Sequence, residues 1–390
     1  MKILFFNYEY PPLGAGAANA TECILREFVK MPELELDLVT SSIDEKYHLV
    51  KLGEKIRIHR LPIGKNAEKL HFQSQKDLLV YLWRAYDFSR KLVRDARKNN
   101  KPYDLTHSFF TVPCGFLSML LKFEFKLPYI ISLRGSDVPY YSDRFTFLYK
   151  LITPLIKFIW SRSAQVISNS EGLRELAFRS SSQQKIEIIY NGIDIKQFFP
   201  KSGSEVGDRF ILTSGASRIT DRKGLDYLIE AVAKLAPKYP QIYLKLMGDG
   251  NARERLEQFV KDSKLEKNVV LLGRIPHEIV LPYYQEASLF VFPSLNEGMS
   301  NAMLEALATG LPLISTNTGG ASELVIDGEN GFIIKFKDSQ DIADKIEKLI
   351  LDEELRKKMA LASRALAEKM SWESVAQKYF EVYKQVGKNK

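Results

Sequence analysis

Apolar and polar positions alternate along the first half of the chain with two different periods. Short apolar runs predict strands at Ile3–Asn7, Leu36–Thr40, Ile56–Leu61, Leu105–His107, Tyr129–Leu133, Gln165–Ser168 and Ile186–Tyr190. Between several of these strands, residues 19–30 and 77–99 have the spacing of amphipathic helices. Strands that alternate with helices in this way are typical of βαβ units and a mostly parallel sheet.

The alternation begins again after a polar, small-residue segment at 201–208 (KSGSEVGD). Strands are predicted at Phe210–Ser214, Tyr243–Met247, Val269–Leu272, Ala287–Phe292, Leu313–Thr316 and Phe332–Ile334. Helices are predicted at 224–236, 251–263, 278–286, 339–350 and 352–368, with a final helix after Trp372. We therefore predict an α/β protein with a first Rossmann-like domain at 1–200 and a second at 201–372, facing each other across a cleft.

The stretch from Pro293 to Glu305 (PSLNEGMSNAMLE) follows a predicted buried strand. Ser300 and Asn301 are residue types that begin helices, so Glu297 falls in the loop and Glu305 falls inside the helix. In an open α/β sheet, a helix N-terminus at the carboxyl end of a strand binds anionic ligands. The two carboxylates would then hold the hydroxyls of a sugar and of a ribose. The alternative is that both are ordinary exposed glutamates.

Two glycine-bearing loops also follow predicted strands. Gly14 and Gly16 lie in the loop after the first strand, where small residues let backbone N–H groups approach a phosphate or sugar. Since Asn19 occupies the third position, this loop is not a dinucleotide G-x-G-x-x-G motif, and a plain tight turn explains it equally well. In the loop at 215–224, Arg218 and Lys223 would clamp a diphosphate, unless they are simply solvated basic residues.

The composition is that of a globular protein, with 45% apolar and 27% charged residues over 390 positions. Cys23 and Cys114 lack the spacing of a disulfide framework or a zinc site. The apolar start (KILFF) predicts a buried strand rather than a signal peptide, because it ends at Asn7. No run approaches the ~20 apolar residues of a membrane-spanning helix. We therefore expect a cytoplasmic protein.

The net charge of +8 lies entirely in residues 1–200. Such asymmetry indicates an anionic partner for the first domain, or a basic surface that is only solvated. One basic face runs along residues 84–101, and the apolar stretch 145–160 carries two charges, Lys150 and Lys157. Both segments are candidates for peripheral contact with an anionic membrane at its inner face, or for helices that cover the sheet. Nucleic acid is disfavoured because the basic face lacks interleaved aromatic residues.

From Ser214 to Ile334 the order of motifs resembles that of retaining, nucleotide-sugar-dependent glycosyltransferases of family four (group 1), which have the GT-B fold. The matching motifs are Arg218 with Lys223-Gly224, Gly248-Asp249-Gly250, Gly273-Arg274, Pro293-Ser294, Glu297-Gly298, Glu305-Ala306, Ala308, Gly310, Pro312, Gly319-Gly320, Glu323 and Asn330-Gly331. The first half agrees at Pro11-Pro12-Leu13-Gly14, Asn169-Ser170 and Asn191-Gly192-Ile193-Asp194. The resemblance covers nearly the whole chain, and the E-x7-E element is its most diagnostic part.

The resemblance implies a role for each matching position. Glu297 would contact the hydroxyls of the donor sugar, and Glu305 would bind the ribose. Arg218 and Lys223 would neutralise the diphosphate. Further donor contacts would come from backbone groups at Gly248, Gly298, Met299, Ser300 and Asn301, and from Gly14 and Gly16 once the domains close. The final helix, at about 373–387, would cross back to the first domain.

One position departs from the family pattern. Many relatives carry a histidine in an H-G-x-D-like segment, where this chain has Arg134-Gly135-Ser136-Asp137. Arginine cannot act as a general base at neutral pH, so a proton-handling role does not transfer to Arg134, although an electrostatic role remains open. Asp137 is the nearest candidate base. His107 is a weaker one, because a lone histidine near a strand end is usually just packed.

We expect no metal and no cofactor, because no D-x-D motif occurs and the histidines lack ligand spacing. The predicted reaction is transfer of a sugar from a nucleotide-diphosphate donor to an acceptor hydroxyl with retention. The acceptor would be lipid-linked or a growing surface polysaccharide. Two alternatives stay open: a nucleotide-sugar epimerase of the same fold, and a catalytically silent module that binds saccharide or membrane.

Overall fold

The computed structural model describes residues 1–14, 16–64, 74–141, 146–201, 209–296, 299–318 and 320–388, without the side chains of 146–148, 150, 216 and 217. In chain order the strands are β1 Lys2–Phe6, β2 Glu35–Ser41, β3 His48–Leu52, β4 Ile56–Leu61, β5 Leu105–Phe109, β6 Tyr129–Ser132, β7 Gln165–Ser168, β8 Ile186–Ile188, β9 Phe210–Arg218, β10 Ile242–Asp249, β11 Val269–Gly273, β12 Leu289–Phe292, β13 Leu313–Thr316 and β14 Gly331–Ile334. The helices are α1 Gly16–Phe28, α2 Gln75–Lys98, α3 Phe116–Phe125, α4 Thr146–Arg162, α5 Glu171–Ser180, α6 Leu225–Leu235, α7 Arg253–Asp262, α8 Leu281–Gln285, α9 Asn301–Ala308, α10 Ala321–Leu324, α11 Ser339–Leu351, α12 Glu353–Glu368 and α13 Trp372–Lys388.

The chain forms two compact units, one of Met1–Asn191 with Trp372–Lys390 and the other of Gly192–Ser371. Residues 192–200, which the sequence analysis assigned to the first domain, therefore lie in the second unit. Their contacts explain this difference. The guanidinium of Arg364 donates hydrogen bonds to the carbonyl oxygens of Phe198 (2.9 Å) and Ile195 (3.3 Å). Phe198 is buried and packs against the rings of His277 and Tyr284.

The first unit contains an eight-stranded sheet with the order β3-β4-β2-β1-β5-β6-β7-β8. All neighbouring pairs are parallel except β3 with β4. The direction of winding reverses between β1 and β5, and such a reversal opens a crevice at the carboxyl ends of the strands. Its main core cluster joins the strands to α1, α2 and the inward face of α13.

Helix α2 of this unit begins at a capping residue. At the start of α2, the Ser74 hydroxyl accepts from the backbone N–H of Asp77, and the Asp77 carboxylate accepts from the backbone N–H of Ser74. This reciprocal cap satisfies two donors that the first helical turn leaves unpaired. Arg97 and Lys98 lie in the last turn, where cations interact favourably with the helix dipole.

The second unit contains a six-stranded parallel sheet with the order β11-β10-β9-β12-β13-β14. Numbered within the unit, this is the 3-2-1-4-5-6 order of nucleotide-binding domains. The order reverses between β9 and β12, so the loops that follow these two strands flank the crevice. The predicted α/β class with two doubly wound domains is confirmed.

Candidate functional site

The candidate site of the second unit lies where β9 and β12 end side by side. The backbone N–H of Leu295 donates to the carbonyl oxygen of Arg222 at 2.7 Å, and the Ser294 hydroxyl donates to the same oxygen at 3.1 Å. These bonds join the loop after β9 to the loop after β12. The structure therefore brings together two segments that the sequence analysis had connected only through the family resemblance.

Gly224 makes this close approach sterically feasible. It has a φ of +60°, and a Cβ atom added there would lie 2.3 Å from the carbonyl oxygen of Pro293. Every other residue would push the two loops apart. Gly224 also ends a single 3-10 turn, Asp221–Lys223, and precedes the first residue of α6.

The two predicted cations lie on this loop. Arg218 is the last residue of β9 and is exposed. The Lys223 ammonium lies 5.0 Å from the ring centroid of Phe292, the last residue of β12. A cation over an aromatic face is attracted by the ring quadrupole, so Phe292 holds the lysine near the strand end.

The Gly248-Asp249-Gly250 turn lies directly beside the same loop. Asp249 is paired with Arg218 in the sheet, and the backbone N–H of Ile219 donates to the Asp249 carbonyl oxygen at 2.8 Å. A Cβ atom on Gly250 would lie 2.2 Å from the carbonyl oxygen of Ile219. Gly248 is thus at the same sheet edge as the predicted diphosphate clamp.

Helix α9 begins as the sequence predicted. The hydroxyl of Ser300 accepts a hydrogen bond from the backbone N–H of Met303, and Asn301 is the first helical residue. Met299 and Ser300 are buried, and Asn301 is half-buried. Glu297 and Gly298 lie outside the described residues, so their predicted contacts with the sugar stay predictions.

Glu305 is a buried carboxylate, 9% exposed, and the alternative that it is an ordinary surface glutamate is wrong. The hydroxyl of Tyr284 donates to its Oε2 at 2.8 Å, and Nε2 of His277 lies 3.2 Å from its Oε1. Burial raises the pKa of Tyr284 well above its usual value, and the neighbouring Glu305 charge raises it further. Tyr284 therefore remains a donor at any physiological pH.

In the first unit, the predicted residues lie at the carboxyl ends of β1 and β6. Gly14 has a φ of +89°, and a Cβ atom there would lie 2.6 Å from the Glu9 carboxylate. Gly16 is the first residue of α1, and Ala15 lies outside the described residues. Gly14 and Gly16 belong to the first unit, whereas the predicted diphosphate clamp belongs to the second. Their contact with a donor stays a prediction.

Asp137 is held by donors from two loops. Its carboxylate accepts from the backbone N–H groups of Thr111 (2.8 Å), Arg134 (2.9 Å) and Gly135 (3.1 Å), and from the Thr111 hydroxyl (3.1 Å). Burial raises the pKa of Asp137 above its usual value, and the hydrogen bonds from Arg134 and Thr111 offset this only in part. The geometry fits a carboxylate that joins the loops after β5 and β6, and its role as a base stays a prediction.

The side chain of Arg134 makes its contacts within the first unit. Its guanidinium donates to Oδ1 of Asn191 at 2.8 Å and to the hydroxyl of Tyr379 at 3.1 Å, and it lies 3.4 Å from the ring centroid of Phe109. His107 is fully buried between the hydroxyls of Tyr383 and Ser132. Burial lowers the pKa of His107 well below its usual value, and the Arg134 charge contributes, so this histidine is neutral.

Comparison with known proteins identifies the family. The family model for glycosyl transferases group 1 matches residues 194–366, and the model for glycosyltransferase family 4 matches residues 45–197. Together they span residues 45–366. The chain belongs to the family-four, group 1 glycosyltransferases.

Three similar proteins agree with this assignment. This glycosyltransferase is 27% identical to an uncharacterized glycosyltransferase of Methanocaldococcus jannaschii over 99% of both chains. It is 28% identical, over 88% of this chain and 90% of the relative, to the Campylobacter jejuni N-acetylgalactosamine-N,N'-diacetylbacillosaminyl-diphospho-undecaprenol 4-alpha-N-acetylgalactosaminyltransferase. The structure of Anabaena HepE in complex with UDP-glucose superposes with a TM-score of 0.73 at 19% identity, over 99% of this chain and 100% of that chain. The fold is therefore GT-B.

The two segments proposed for membrane contact, 84–101 and 145–160, overlap the second part of α2 and most of α4. Arg90 and Arg94 of α2 form ion pairs with Glu124 of α3, at 2.7 and 2.8 Å, so part of the basic face is used within the glycosyltransferase itself. Exposed apolar side chains on neighbouring helices are Leu79, Trp83, Phe123, Leu151, Leu155 and Phe158. Residue 145 lies outside the described part of the chain. Among the described residues, no helix combines the length and apolar character needed to cross a bilayer.

Sequence reasoning missed the partners of two key side chains. Tyr284 and His277 are 21 and 28 residues from Glu305 along the chain, and Tyr379 is 245 residues from Arg134. Tyr379 and Tyr383 do share one face of a predicted helix, because they are four residues apart. That spacing is the one local signal that could have drawn attention to them.

Proposed function

We propose that this glycosyltransferase takes its sugar from a nucleotide-diphosphate donor bound at the carboxyl edge of the sheet in the second unit. The observation that carries the proposal is the packing of the Arg218–Gly224 loop against residues 293–295. This packing places Lys223 beside Phe292 at the end of β12, the strand that precedes α9 in the chain, and Arg218 is the last residue of the neighbouring strand β9. Cations and a helix N-terminus together favour a diphosphate.

The diphosphate is the leaving group of the proposed reaction, and its negative charge grows as the glycosidic bond breaks. Arginine and lysine side chains are generally cationic at neutral pH. The helix dipole gives the N-terminus of α9 a partial positive charge. Groups fixed before the reaction stabilise developing charge without reorganisation. In this proposal they replace a metal ion, and the enzyme is metal-independent.

Glu305 is well suited to bind the ribose hydroxyls. A carboxylate has about four acceptor positions, and here Tyr284 occupies one on Oε2 while His277 lies near Oε1. Acceptor capacity therefore remains on both oxygens, and the Tyr284 bond fixes the rotamer. Glu297 contacts the donor sugar, while backbone groups of Gly248, Gly298, Met299, Ser300 and Asn301 complete the donor site. Gly14 and Gly16 contribute from the first unit.

The proposed acceptor is a lipid-linked or saccharide hydroxyl, and the proposed outcome is retention at the anomeric carbon. The name of the Campylobacter relative states that it acts on a diphospho-undecaprenol-linked sugar. In the present chain the charge excess lies in the first half, and α2, α3 and α4 expose large apolar side chains such as Trp83 and Leu151. Apolar side chains among cations favour peripheral contact with an anionic membrane surface.

A panel of nucleoside diphosphates and nucleotide sugars tests the donor proposal by thermal unfolding. A ligand that binds only the native state at 100 times its Kd stabilises it by about 2.7 kcal/mol, so the correct nucleotide should raise the Tm by several degrees. The best nucleotide sugar is then incubated with and without acceptor, and the product anomer is determined by NMR. Failure to stabilise the protein or to transfer from any donor would refute the proposal. Interconversion of the donor without acceptor would indicate an epimerase.

Co-sedimentation with vesicles tests the membrane contact. We expect binding to phosphatidylglycerol vesicles that is at least tenfold tighter than to phosphatidylcholine vesicles, because the cations need anionic headgroups. Trp83→Ser with Leu151→Ser should weaken this binding. The matched control is Leu361→Ser, since Leu361 is equally exposed but lies on α12 of the second unit. Equal loss of binding in both variants would contradict the assigned surface.

A further inference from the structure

The chain passes between the two units twice, after Asn191 and after Ser371. On the second-unit side, the two passages are hydrogen-bonded to each other. The backbone N–H of Ile193 donates to the carbonyl oxygen of Met370 at 2.9 Å, and Ile193 forms a parallel bridge with Ser371. The two passages therefore lie side by side and form one hydrogen-bonded junction.

Arg134 ties both sides of this junction to the first unit. Its guanidinium donates to Asn191, the last residue before the first passage, and to Tyr379 of α13, the helix that begins at the second passage. The arginine itself follows β6, and its guanidinium stacks on Phe109 at the end of β5. A single side chain thus connects two strand ends with the residue that precedes the first passage and with the helix that follows the second.

A chain of polar contacts continues from Tyr379 into the sheet. The Tyr379 hydroxyl lies 3.2 Å from Oγ of Ser132, and Ser132 Oγ lies 2.8 Å from Nε2 of His107. Nδ1 of His107 lies 2.7 Å from the hydroxyl of Tyr383, one helical turn beyond Tyr379. All these groups are buried, and together the contacts join α13 to β5 and β6.

The geometry of arginine suits this position. The guanidinium is a planar fork with fixed donor directions, and it reaches Asn191 and Tyr379 from two different nitrogens. A lysine offers a single nitrogen on a flexible stem, and a histidine offers two ring nitrogens on a shorter side chain. Burial of the guanidinium lowers the pKa of Arg134, yet arginine stays charged in proteins, so a partly buried cation is retained here at an energetic cost.

We propose that Arg134 is a positioning residue, which fixes both interdomain passages against the carboxyl end of β6 and does not itself contact sugar or phosphate. The family's histidine position has therefore become a structural anchor in this chain. Only the turnover measurement below rests on the proposed function, and the exchange measurement is independent of it.

Hydrogen–deuterium exchange tests the anchor on the full chain. We expect the Ile193 amide to exchange at least tenfold faster in Arg134→Lys, Arg134→His and Tyr379→Phe than in the native protein. Tyr383→Phe is the matched control, because it removes one buried hydroxyl from the same helix without touching Arg134, and Ile193 should exchange as in the native protein. Unchanged exchange in the Arg134 variants would overturn the proposal.

Turnover of the donor found in the nucleotide panel supplies the second readout. We expect Arg134→Lys and Tyr379→Phe to lower kcat at least tenfold and leave the donor KM unchanged, because the donor residues of the second unit are intact. The double variant Arg134→Lys with Tyr379→Phe should lose no more kcat than Arg134→Lys alone, since both substitutions remove the same contact. Full activity in Arg134→His, or a fall in kcat without faster exchange at Ile193, would instead identify a catalytic residue. If no donor is turned over, the exchange result still decides whether Arg134 anchors the junction.

Discussion

The hydroxyl of Tyr284 donates a 2.8 Å hydrogen bond to Oε2 of Glu305, and both side chains are buried. A buried carboxylate is costly unless it is paired with donors. Tyr284 stabilises the charge and fixes the direction in which the remaining acceptor positions of Glu305 point. In the proposed function, these positions accept hydrogen bonds from the hydroxyl groups of the ribose.

Tyr284→Phe should weaken the binding of UDP about tenfold, because it removes one hydrogen bond to a charged group, worth about 1.5–3 kcal/mol. Isothermal titration calorimetry with UDP as the probe measures this loss. Tyr283→Phe is the control, since it removes the neighbouring hydroxyl, which is not bonded to Glu305. If both variants bind UDP as the native protein does, Tyr284 does not orient a nucleotide ligand.

Gly224→Ala should destabilise the protein and abolish its stabilisation by UDP. An L-residue with positive φ costs about 1–2 kcal/mol, and the new Cβ would also collide with the carbonyl oxygen of Pro293. Gly328→Ala separates these effects, because Gly328 has a φ of +79° but nothing within 4 Å of its added Cβ. Urea unfolding with and without UDP measures both quantities. Equal behaviour of the two variants would show that the loop contact is unimportant.

Glu297→Gln should reduce turnover by at least a hundredfold while UDP still binds. The carboxylate is expected to contact hydroxyls of the transferred sugar, which UDP lacks, so only binding of the intact donor and the reaction itself should suffer. Comparison of kcat with the Kd for UDP distinguishes these roles. Glu329→Gln, at an exposed glutamate of the same unit, is the control. Normal turnover in Glu297→Gln would remove this residue from the proposed site.

The local pattern of the sequence predicted helices and strands better than it predicted side-chain contacts between distant segments. Strand β3 was not predicted from the sequence. Its apolar residues Leu49 and Val50 are 46% and 40% exposed, so apolar and polar positions do not alternate along it as they do in a half-buried strand. The start of α9 was predicted because capping chemistry is local, as at Ser300. The partners of Glu305 and Arg134 could not be predicted, since they come from segments that only the completed sheets bring together.

The buried acid Asp37 should make stability depend on pH in a defined range. Burial alone would raise the pKa of Asp37, but hydrogen bonds from His59, Arg57 and Tyr103 outweigh it and hold the pKa well below its usual value. A group with a lowered pKa in the folded state stabilises the protein above its unfolded-state pKa, about 3.9, and loses this contribution as the pH falls further.

Asp37→Asn should therefore reduce the free energy of unfolding by about 3 kcal/mol at pH 7, and the difference from the native protein should shrink below about pH 4. Urea unfolding between pH 7 and pH 3 measures this difference. The control is Asp262→Asn, because Asp262 is an exposed acid at the end of helix α7. A difference that stays constant with pH would contradict the assigned charge network.

Calorimetry of UDP binding to Lys223→Met tests the diphosphate site most directly. Lys223 is positioned by Phe292 at the end of β12, and its charge is expected to act on the diphosphate. Lys261→Met removes an equally positive charge from the surface of α7 and serves as the control. We expect the Kd for UDP to rise at least tenfold in Lys223→Met and to stay within twofold in Lys261→Met. An unchanged Kd in Lys223→Met would show that the nucleotide diphosphate does not bind at this edge of the sheet.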